Sequence, residues 1–149
     1  MAETTTPINA CDVSVWLDNA AGTLKDISGS ANSVNMEFES NIGELRVFVT
    51  RWPVRLQCGK DATFTLIVVY STAADEGMDI LKNWFFGTAT GARSFHVYIP
   101  DKNVGSDHYY GEVVLENLSW PVNAGEAQPI PVTATLKPSG TFYLTTATT

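Results

Sequence analysis

The alternation of apolar and polar residues constrains the fold of this chain more than any other feature. In VNMEFE, residues 34–39, every second side chain is apolar and the others are polar or acidic. Successive side chains of a strand point to opposite faces, so this segment predicts a strand with one buried face and one acidic face. Similar patterns occur at residues 13–17, 45–49, 54–56, 64–70, 94–99, 109–120 and 130–136. About eight strand candidates separated by Gly, Pro and Asn predict a mainly β chain, folded as a β-sandwich or partly open barrel.

One segment, at about residues 73–86, has the periodicity of a helix instead. Its apolar residues recur at spacings of three and four, as on one face of an amphipathic helix: Met78, Leu81, Trp84 and Phe85. Thr72 is the predicted N-terminal cap, with Asp75 three residues later, and Gly87 is the predicted C-terminal stop. We expect this helix to cover one open edge or end of the β core.

The length indicates one domain. At 149 residues, a single domain removes roughly 70% of its unfolded surface from water, which is enough for one core. We expect residues 1–149 to form that domain, with flexible, Thr-rich arms at about 1–11 and 138–149. The sequence lacks a signal-peptide pattern and any run of about 18 apolar residues, which predicts a soluble protein made in the cytoplasm.

The charge balance argues against a protein that grips nucleic acid. The net charge is −7, the isoelectric point is near 4.6, and the nine basic residues are scattered along the chain. Proteins that bind phosphate backbones cluster their Lys and Arg residues instead.

The segment around Cys58 suggests two kinds of chemistry, and its context supports neither. A thiolate nucleophile needs a nearby base, which His96 or His108 would have to supply. Gly59-Lys60 lacks the spacing of a phosphate loop and precedes a strand, where such a loop needs a helix N-terminus. We interpret residues 59–61 as a turn or break that leads into the central strand.

Acidic residues suggest glycoside hydrolysis, which needs two neighbouring carboxylates in unlike environments. The candidates are Glu37, Glu39, Glu44, Glu112 and Glu116. Alternating acids on a strand more often form a solvated face, which is the interpretation we favour. No metal site and no cofactor are predicted, because Asp75, Glu76 and Asp79 do not follow the calcium-loop pattern and the two cysteines lack zinc-site spacing.

Aromatic residues leave a different class of function open. Trp16, Trp52 and Trp120 would form a sugar-stacking surface if they converged on one face of a sandwich. A carbohydrate-binding β-sandwich module is therefore an alternative, and buried or interfacial aromatic anchors explain the same residues equally well.

Three segments, taken in order, carry a resemblance to a known family. DISGSANSV, residues 26–34, leads into a predicted strand, and residues 52–61 have the pattern W-x-V-R-L-x-C-G-x-D before the long central strand. YYGEVVLENLSWPVNAGEAQPIPVTATLKPSGTF, residues 109–142, holds a closing pair of strands. With one helix between them, these segments resemble the major tail tube proteins of long-tailed, non-contractile (siphovirus-type) bacteriophages over about residues 13–140.

The resemblance implies a structural virion protein whose hexameric rings stack into a tail tube that delivers genomic DNA. The implied partners are further copies of the chain, a tape-measure protein and tail terminator or tip proteins, while DNA passes without specific binding. The implied location is the virion tail, after assembly in the host cytoplasm, with no membrane anchor, cofactor or catalytic residue. An inner-tube protein of a contractile tail or type VI secretion system is an alternative within the same class.

The resemblance also implies two assembly surfaces. Candidate lumen-facing residues are those of the acidic and the Thr-rich alternating strands, Asn35, Glu37, Glu39, Thr133 and Thr135. Six copies at −7 each give about −42 charges per ring, which would repel DNA phosphates if enough of them lined the bore. The candidate ring-stacking loop lies within residues 40–53 and includes Ser40, Asn41, Ile42, Gly43, Glu44, Arg51 and Trp52.

Overall fold

The computed structural model describes residues 7–49, 51–88, 90–125 and 127–148. In this part of the chain, eight strands form one antiparallel sheet and a single α-helix, α1 (Gly77–Phe86), packs against it. The strands are β1 (Ser14–Asp18), β2 (Leu24–Asp26), β3 (Ala31–Leu45), β4 (Val54–Val69), β5 (Arg93–Ile99), β6 (Asp107–Ser119), β7 (Pro131–Pro138) and β8 (Tyr143–Thr146). The predicted mainly β fold, with about eight strands and one helix, is confirmed.

The sheet is ordered β2-β1-β5-β6-β7-β4-β3, and β8 pairs with the first part of β6. The outermost strands, β2 and β3, are joined by a turn at residues 27–30. In this turn the Ile27 amide donates to the Val15 carbonyl, and the Ser30 carbonyl accepts from the Val69 amide. The turn therefore bridges β1 and β4, and the sheet curls around a core with its two ends close together.

The core follows the alternation of β4. Phe64, Leu66 and Val68 are completely buried, whereas Thr63 and Thr65 are half-buried on the other face. The Phe64 ring lies 4.6 Å from the Phe142 ring and 5.6 Å from the Phe95 ring, measured between centroids. The predicted core face of this strand is thus correct for all three apolar residues. Tyr70, at the end of the same pattern, is exposed.

The helix is shorter than predicted, because its N-terminus is set by tertiary contacts. It begins at Gly77 with Glu76 as the N-cap residue, so Thr72 is not the cap. Asp75 has a φ of 59°, a left-handed conformation that cannot continue a helix backward. A Cβ on Gly77 would lie 2.9 Å from the Val68 side chain, so close packing requires glycine there. Gly87 is the C-cap as predicted, but Phe85 is exposed and does not belong to the buried face.

Arg93 links the helix to the sheet. Its guanidinium carbon lies 5.0 Å from the centroid of the Trp84 ring. Its Nη1 donates to the carbonyls of Asp18 and Ile80, both at 3.4 Å. Burial lowers the pKa of Arg93, and the neighbouring Asp18 carboxylate opposes this shift. The side chain therefore stays cationic and ties α1, β1 and β5 together.

The predicted strand boundaries need three corrections. β3 continues through Gly43 to Leu45, with a register shift at Asn41/Ile42 instead of a break. β4 likewise runs without a turn through residues 59–61, because the bulge opposite Asn41 absorbs the irregularity. β2 and β8 were not predicted, since three and four residues are too short to display a period.

The predicted arms fall only partly within the described residues. Residues 1–6 of the N-terminal arm lie outside them. Within 138–149, residues 143–146 form β8 and pair with β6, so part of that segment is integrated into the sheet. No helix of the described residues is long and apolar enough to cross a membrane.

Candidate assembly surfaces

A continuous polar face runs across three strands of the sheet, β3, β4 and β7. The register places Asn35 opposite Thr65, and Thr65 opposite Thr135. One step along, Glu37 lies opposite Thr63, whose hydroxyl accepts a 2.7 Å hydrogen bond from the Lys137 amine. Residues paired across an antiparallel sheet share a face. The two predicted groups of lumen residues, on β3 and β7, therefore belong to one surface, joined by threonines of β4; we call it the polar face.

The acidic end of the polar face lies on the hairpin formed by β3 and β4. Glu39 and Asp61 are directly opposite each other, and both are exposed. Like charges in such a pair destabilise a sheet by a few tenths of a kcal/mol. This repulsion does not contribute to the core packing of the subunit, since both side chains are exposed.

Stacked aromatic rings continue the same side of the sheet across β5, β6 and β8. The rings of Tyr98 and His108 are 4.1 Å apart and nearly parallel, and Tyr110 stacks on Tyr143 at 5.2 Å. His96 lies within this group, with its Nδ1 2.7 Å from Nε2 of His108. One of these two nitrogens donates its hydrogen and the other accepts, an arrangement that two neutral imidazole rings can make.

The environment disfavours the charged form of both histidines. Burial is the main cause of the lowered pKa of His96, followed by the neighbouring His108; the carboxylates of Asp18 and Glu112 oppose it. Burial also lowers the pKa of His108, and Lys102 adds to the effect. Protonation of this pair therefore opposes folding.

The β3–β4 hairpin extends well beyond the rest of the sheet. β4 is paired with β7 only from Phe64 onward, while its pairing with β3 starts at Val54. β7 ends at Pro138, which this register places level with Ala62, so residues 54–61 project past β7. These eight residues span about 26 Å at about 3.3 Å per residue. Their partner strand β3 projects with them.

The outer end of the hairpin, residues 44–55, is apolar and basic; we call it the hairpin tip. Its large apolar side chains are exposed, including Trp52 at 84%. The exposed set is Leu45, Val47, Phe48, Val49, Trp52 and Val54. The basic residues Arg46 and Arg55 both contact Glu44, at 2.7 and 3.7 Å, and Arg51 adds a third positive charge. A soluble monomer rarely displays such a cluster, which is typical of an interaction site.

The predicted stacking residues divide between the stem and the tip of this hairpin. Ser40, Asn41, Ile42, Gly43 and Glu44 lie in the paired strand β3 and not in a loop. Arg51 and Trp52 lie in the connection between β3 and β4. The sequence pattern predicts a strand face of Leu45, Val47 and Val49, but β3 ends at Leu45 and all three side chains are exposed. The alternation alone does not show that this face has no core to cover.

The residues considered for chemistry are not brought together. Cys58 is exposed on the projecting part of β4, whereas His96 and His108 lie on β5 and β6, beyond β7 in the sheet. Glu44 pairs with arginines of the hairpin, and Glu112 accepts a 2.6 Å hydrogen bond from the Ser94 hydroxyl on β5. No group of three or more potential metal ligands occurs among the described residues.

The three tryptophans likewise do not form a platform. Trp16 lies on β1, where the Lys102 amine sits 3.9 Å from the centroid of its ring. Trp52 is in the hairpin tip, and Trp120 follows β6, with its ring 6.1 Å from that of Tyr70. The alternative of a sugar-stacking surface built from these three residues is therefore wrong.

Comparison with known proteins finds relatives by structure alone. No protein-family model matches the sequence, and no curated protein matches it. The tail of an empty gene transfer agent particle, refined with C6 symmetry, superposes with a TM-score of 0.71 at 15% identity, covering 92% of this chain and 98% of the other.

Two further solved structures match equally well. The SPP1 tail tube has a TM-score of 0.73 at 13% identity, covering 94% of this chain and 80% of its own. The sheath/tube terminator structure of PVC, an extracellular contractile injection system, has a TM-score of 0.70 at 13% identity, covering 96% and 99%. The resemblance seen in the sequence is thus confirmed at the level of the fold: this chain has the fold shared by the tail and tube proteins of these particles.

Proposed function

We propose that this protein is a structural subunit of a virion tail tube, and that its hexameric rings stack into a conduit for genomic DNA. The observation that carries the proposal is the hairpin tip, a large apolar surface held far from the core of a chain with the tail-tube fold. The role is one of assembly and not of catalysis, in line with the separation of Cys58 from the two histidines.

Burial of the hairpin tip supplies a driving force for assembly. Removing one large apolar side chain from water contributes about 1.5–3 kcal/mol, and the tip exposes six such side chains. Association costs at least about 4 kcal/mol in lost translational and rotational freedom. The tip alone can offset that cost, so contact between stacked rings through residues 40–53 is favourable.

The sheet edges support lateral association within a ring. β3 is 15 residues long and lies at one end of the strand order, so its outer edge carries unpaired backbone groups. Exposed edges of this length pair with other strands unless they are covered. In a closed ring every such edge is covered by the neighbouring subunit, as in a barrel.

The polar face is suited to line the bore. Asn35, Glu37, Glu39, Thr133 and Thr135 contribute hydroxyl, amide and carboxylate groups to it, and the facing charges repel phosphates. At about −42 charges per six-membered ring, DNA would slide through without adhering. Lys137 is held by Thr63 on this face and tempers the charge locally.

The remaining parts of the proposal concern partners and the ends of the chain. The tube would be closed by a terminator protein, and a tape-measure protein would occupy its bore before DNA release. The predicted C-terminal arm is already packed on the subunit through Phe142 and β8, so the proposal does not include its ordering on assembly. The same fold occurs in tube proteins of contractile systems, where a sheath would surround the tube.

Electron microscopy of the concentrated protein tests this proposal. We expect rings and tubes in negative stain, and a sedimentation profile that depends on concentration. Phe48→Asp with Trp52→Asp should abolish the tubes and leave the circular dichroism spectrum unchanged, since both side chains lie outside the core. A wild-type protein that remains a monodisperse monomer at high concentration would contradict the proposal.

A further inference from the structure

A groove of about 660 Å³ lies at the end of the sheet opposite the hairpin tip. We call it the end groove. It is formed where β4 ends and by the connection between β6 and β7, with apolar lining from Val69, Pro121, Val122, Pro129, Ile130 and Pro131. Asn32, Asn123 and Gln128 add polar side chains to the lining. Val122 is 76% exposed. A volume of this size is in the range that holds a small organic molecule, or one to two aromatic side chains.

The chemistry of the end groove selects side chains over a β-strand as its occupant. Three of its lining residues, Pro121, Pro129 and Pro131, have no amide hydrogen to offer to an added strand. Proline rings are rigid, so they present apolar surface without a large loss of entropy on binding. An apolar or aromatic side chain carried on a separate element fits these properties.

The end groove and the hairpin tip are at opposite ends of the same two strands. The hairpin register runs from Ala31↔Val68, beside the groove, to Leu45↔Val54, at the tip. Fourteen residue steps separate these ends, which is at most about 48 Å. A donor at one end and an acceptor at the other make a head-to-tail contact, which repeats along an axis without limit.

The charges at the two ends are complementary. The hairpin tip has three arginines and one acid, Glu44, which gives it a net charge of +2. Since the whole chain has a net charge of −7, the rest of the chain has a net charge of −9. Three acids, Asp75, Glu76 and Asp79, surround the start of α1, and Lys25 contacts Asp75 at 3.6 Å, so these four side chains have a net charge of −2. That start lies at the groove end, because the Ser30 hydroxyl accepts from the Gly77 amide at 3.0 Å while the Ser30 carbonyl accepts from Val69.

We propose that the end groove of each subunit receives the hairpin tip of a second copy of this chain in the adjacent ring. Phe48 and Trp52 enter the end groove and contact its apolar side chains. The tip arginines face the acids around the start of α1. The proposal rests on the tube-forming function proposed above and names the surface that completes the contact between rings. It fixes the direction of stacking, since tip and groove cannot be exchanged.

Chemical crosslinking in assembled tubes tests the contact directly. In a Cys11→Ser, Cys58→Ser background that forms tubes, Phe48→Cys combined with Val122→Cys should give a ladder of covalent oligomers with a short bismaleimide linker. The matched control, Phe48→Cys with Phe86→Cys, places the second thiol on α1 outside the groove and should give no ladder. Phe86 is 68% exposed and Val122 is 76% exposed, so the two positions are similarly accessible to the linker.

A charge variant gives an independent readout. Val122→Lys should raise the critical concentration for tube formation by about tenfold or more, because it buries a positive charge in the contact and repels the tip arginines. Phe86→Lys adds the same charge elsewhere and should leave the critical concentration unchanged. Both residues are outside the core, so the monomer remains folded.

The outcomes separate the two proposals. If the wild-type chain forms no tubes, both proposals fail. If tubes form but the Phe48→Cys and Val122→Cys variant gives no ladder and Val122→Lys assembles normally, only the tip-to-groove contact is overturned. A tube in which the end groove is filled by a chain terminus, or by another protein, overturns it as well.

Discussion

Phe64→Ala should destabilise the subunit strongly, and the neighbouring substitution Thr65→Ala should not. Phe64 is completely buried and packs against the Phe95 and Phe142 rings, whereas Thr65 points to the polar face. Replacing a buried Phe by Ala costs about 3–5 kcal/mol. A domain of this size has a total unfolding free energy of about 5–15 kcal/mol, so the loss is a large fraction of it. We expect Thr65→Ala to cost about 1 kcal/mol or less.

The measurement is urea denaturation followed by tryptophan fluorescence, at concentrations below those of assembly. With a slope of about 1–3 kcal/mol per molar urea, the midpoint should fall by more than about 1 M for Phe64→Ala and barely move for Thr65→Ala. Phe64→Asp should prevent folding altogether, because it places an unpaired charge in the core. Equal losses for the two alanine variants would refute the reasoning, since a one-residue slip exchanges the faces of the whole strand.

Three further perturbations test other parts of the structure. Gly77→Ala should lower the unfolding free energy by about 1–3 kcal/mol, measured by urea denaturation, because the added Cβ would meet a β4 side chain at 2.9 Å; an unchanged midpoint would contradict the close packing. The lowered pKa values of His96 and His108 stabilise the fold fully above the ordinary value of 6.5, and this contribution is lost as the pH falls from there through the lowered values. Stability should therefore decline as the pH falls below the ordinary histidine value of about 6.5, and less steeply in the variant with both histidines changed to Gln. Glu37→Lys with Glu39→Lys should permit assembly and impair DNA delivery, scored by infectivity at normal tail length; normal infectivity would place this face away from the bore.

Sequence patterns predicted the parts of the fold that depend on neighbouring residues. The phase of β4 follows from its own alternation, since Phe64, Leu66 and Val68 need only a core on one side. The start of α1 does not follow from its own pattern. Its position depends on Ser30 and Val68, distant in sequence, which exclude any side chain at Gly77.

The assembly surfaces were predictable only in fragments. The acidic alternation at Glu37 and the threonines of β7 were visible separately, but their union on one face depends on β4 lying between them. The hairpin tip was harder still, because the apolar residues at 45–49 have the same period as a buried strand. A period shows which side chains share a face and contains no information on what covers that face. The end groove combines residues from β4 and the β6–β7 connection, which no local pattern links.

A helical reconstruction of tubes grown from the purified protein, by electron cryomicroscopy, tests the central claim most directly. The account predicts six subunits per ring, with Glu37 and Thr135 facing the bore and Trp52 of one ring seated against Val122 of the next. A tube bounded by the opposite face of the sheet, or a protein that forms no closed ring at all, would contradict it.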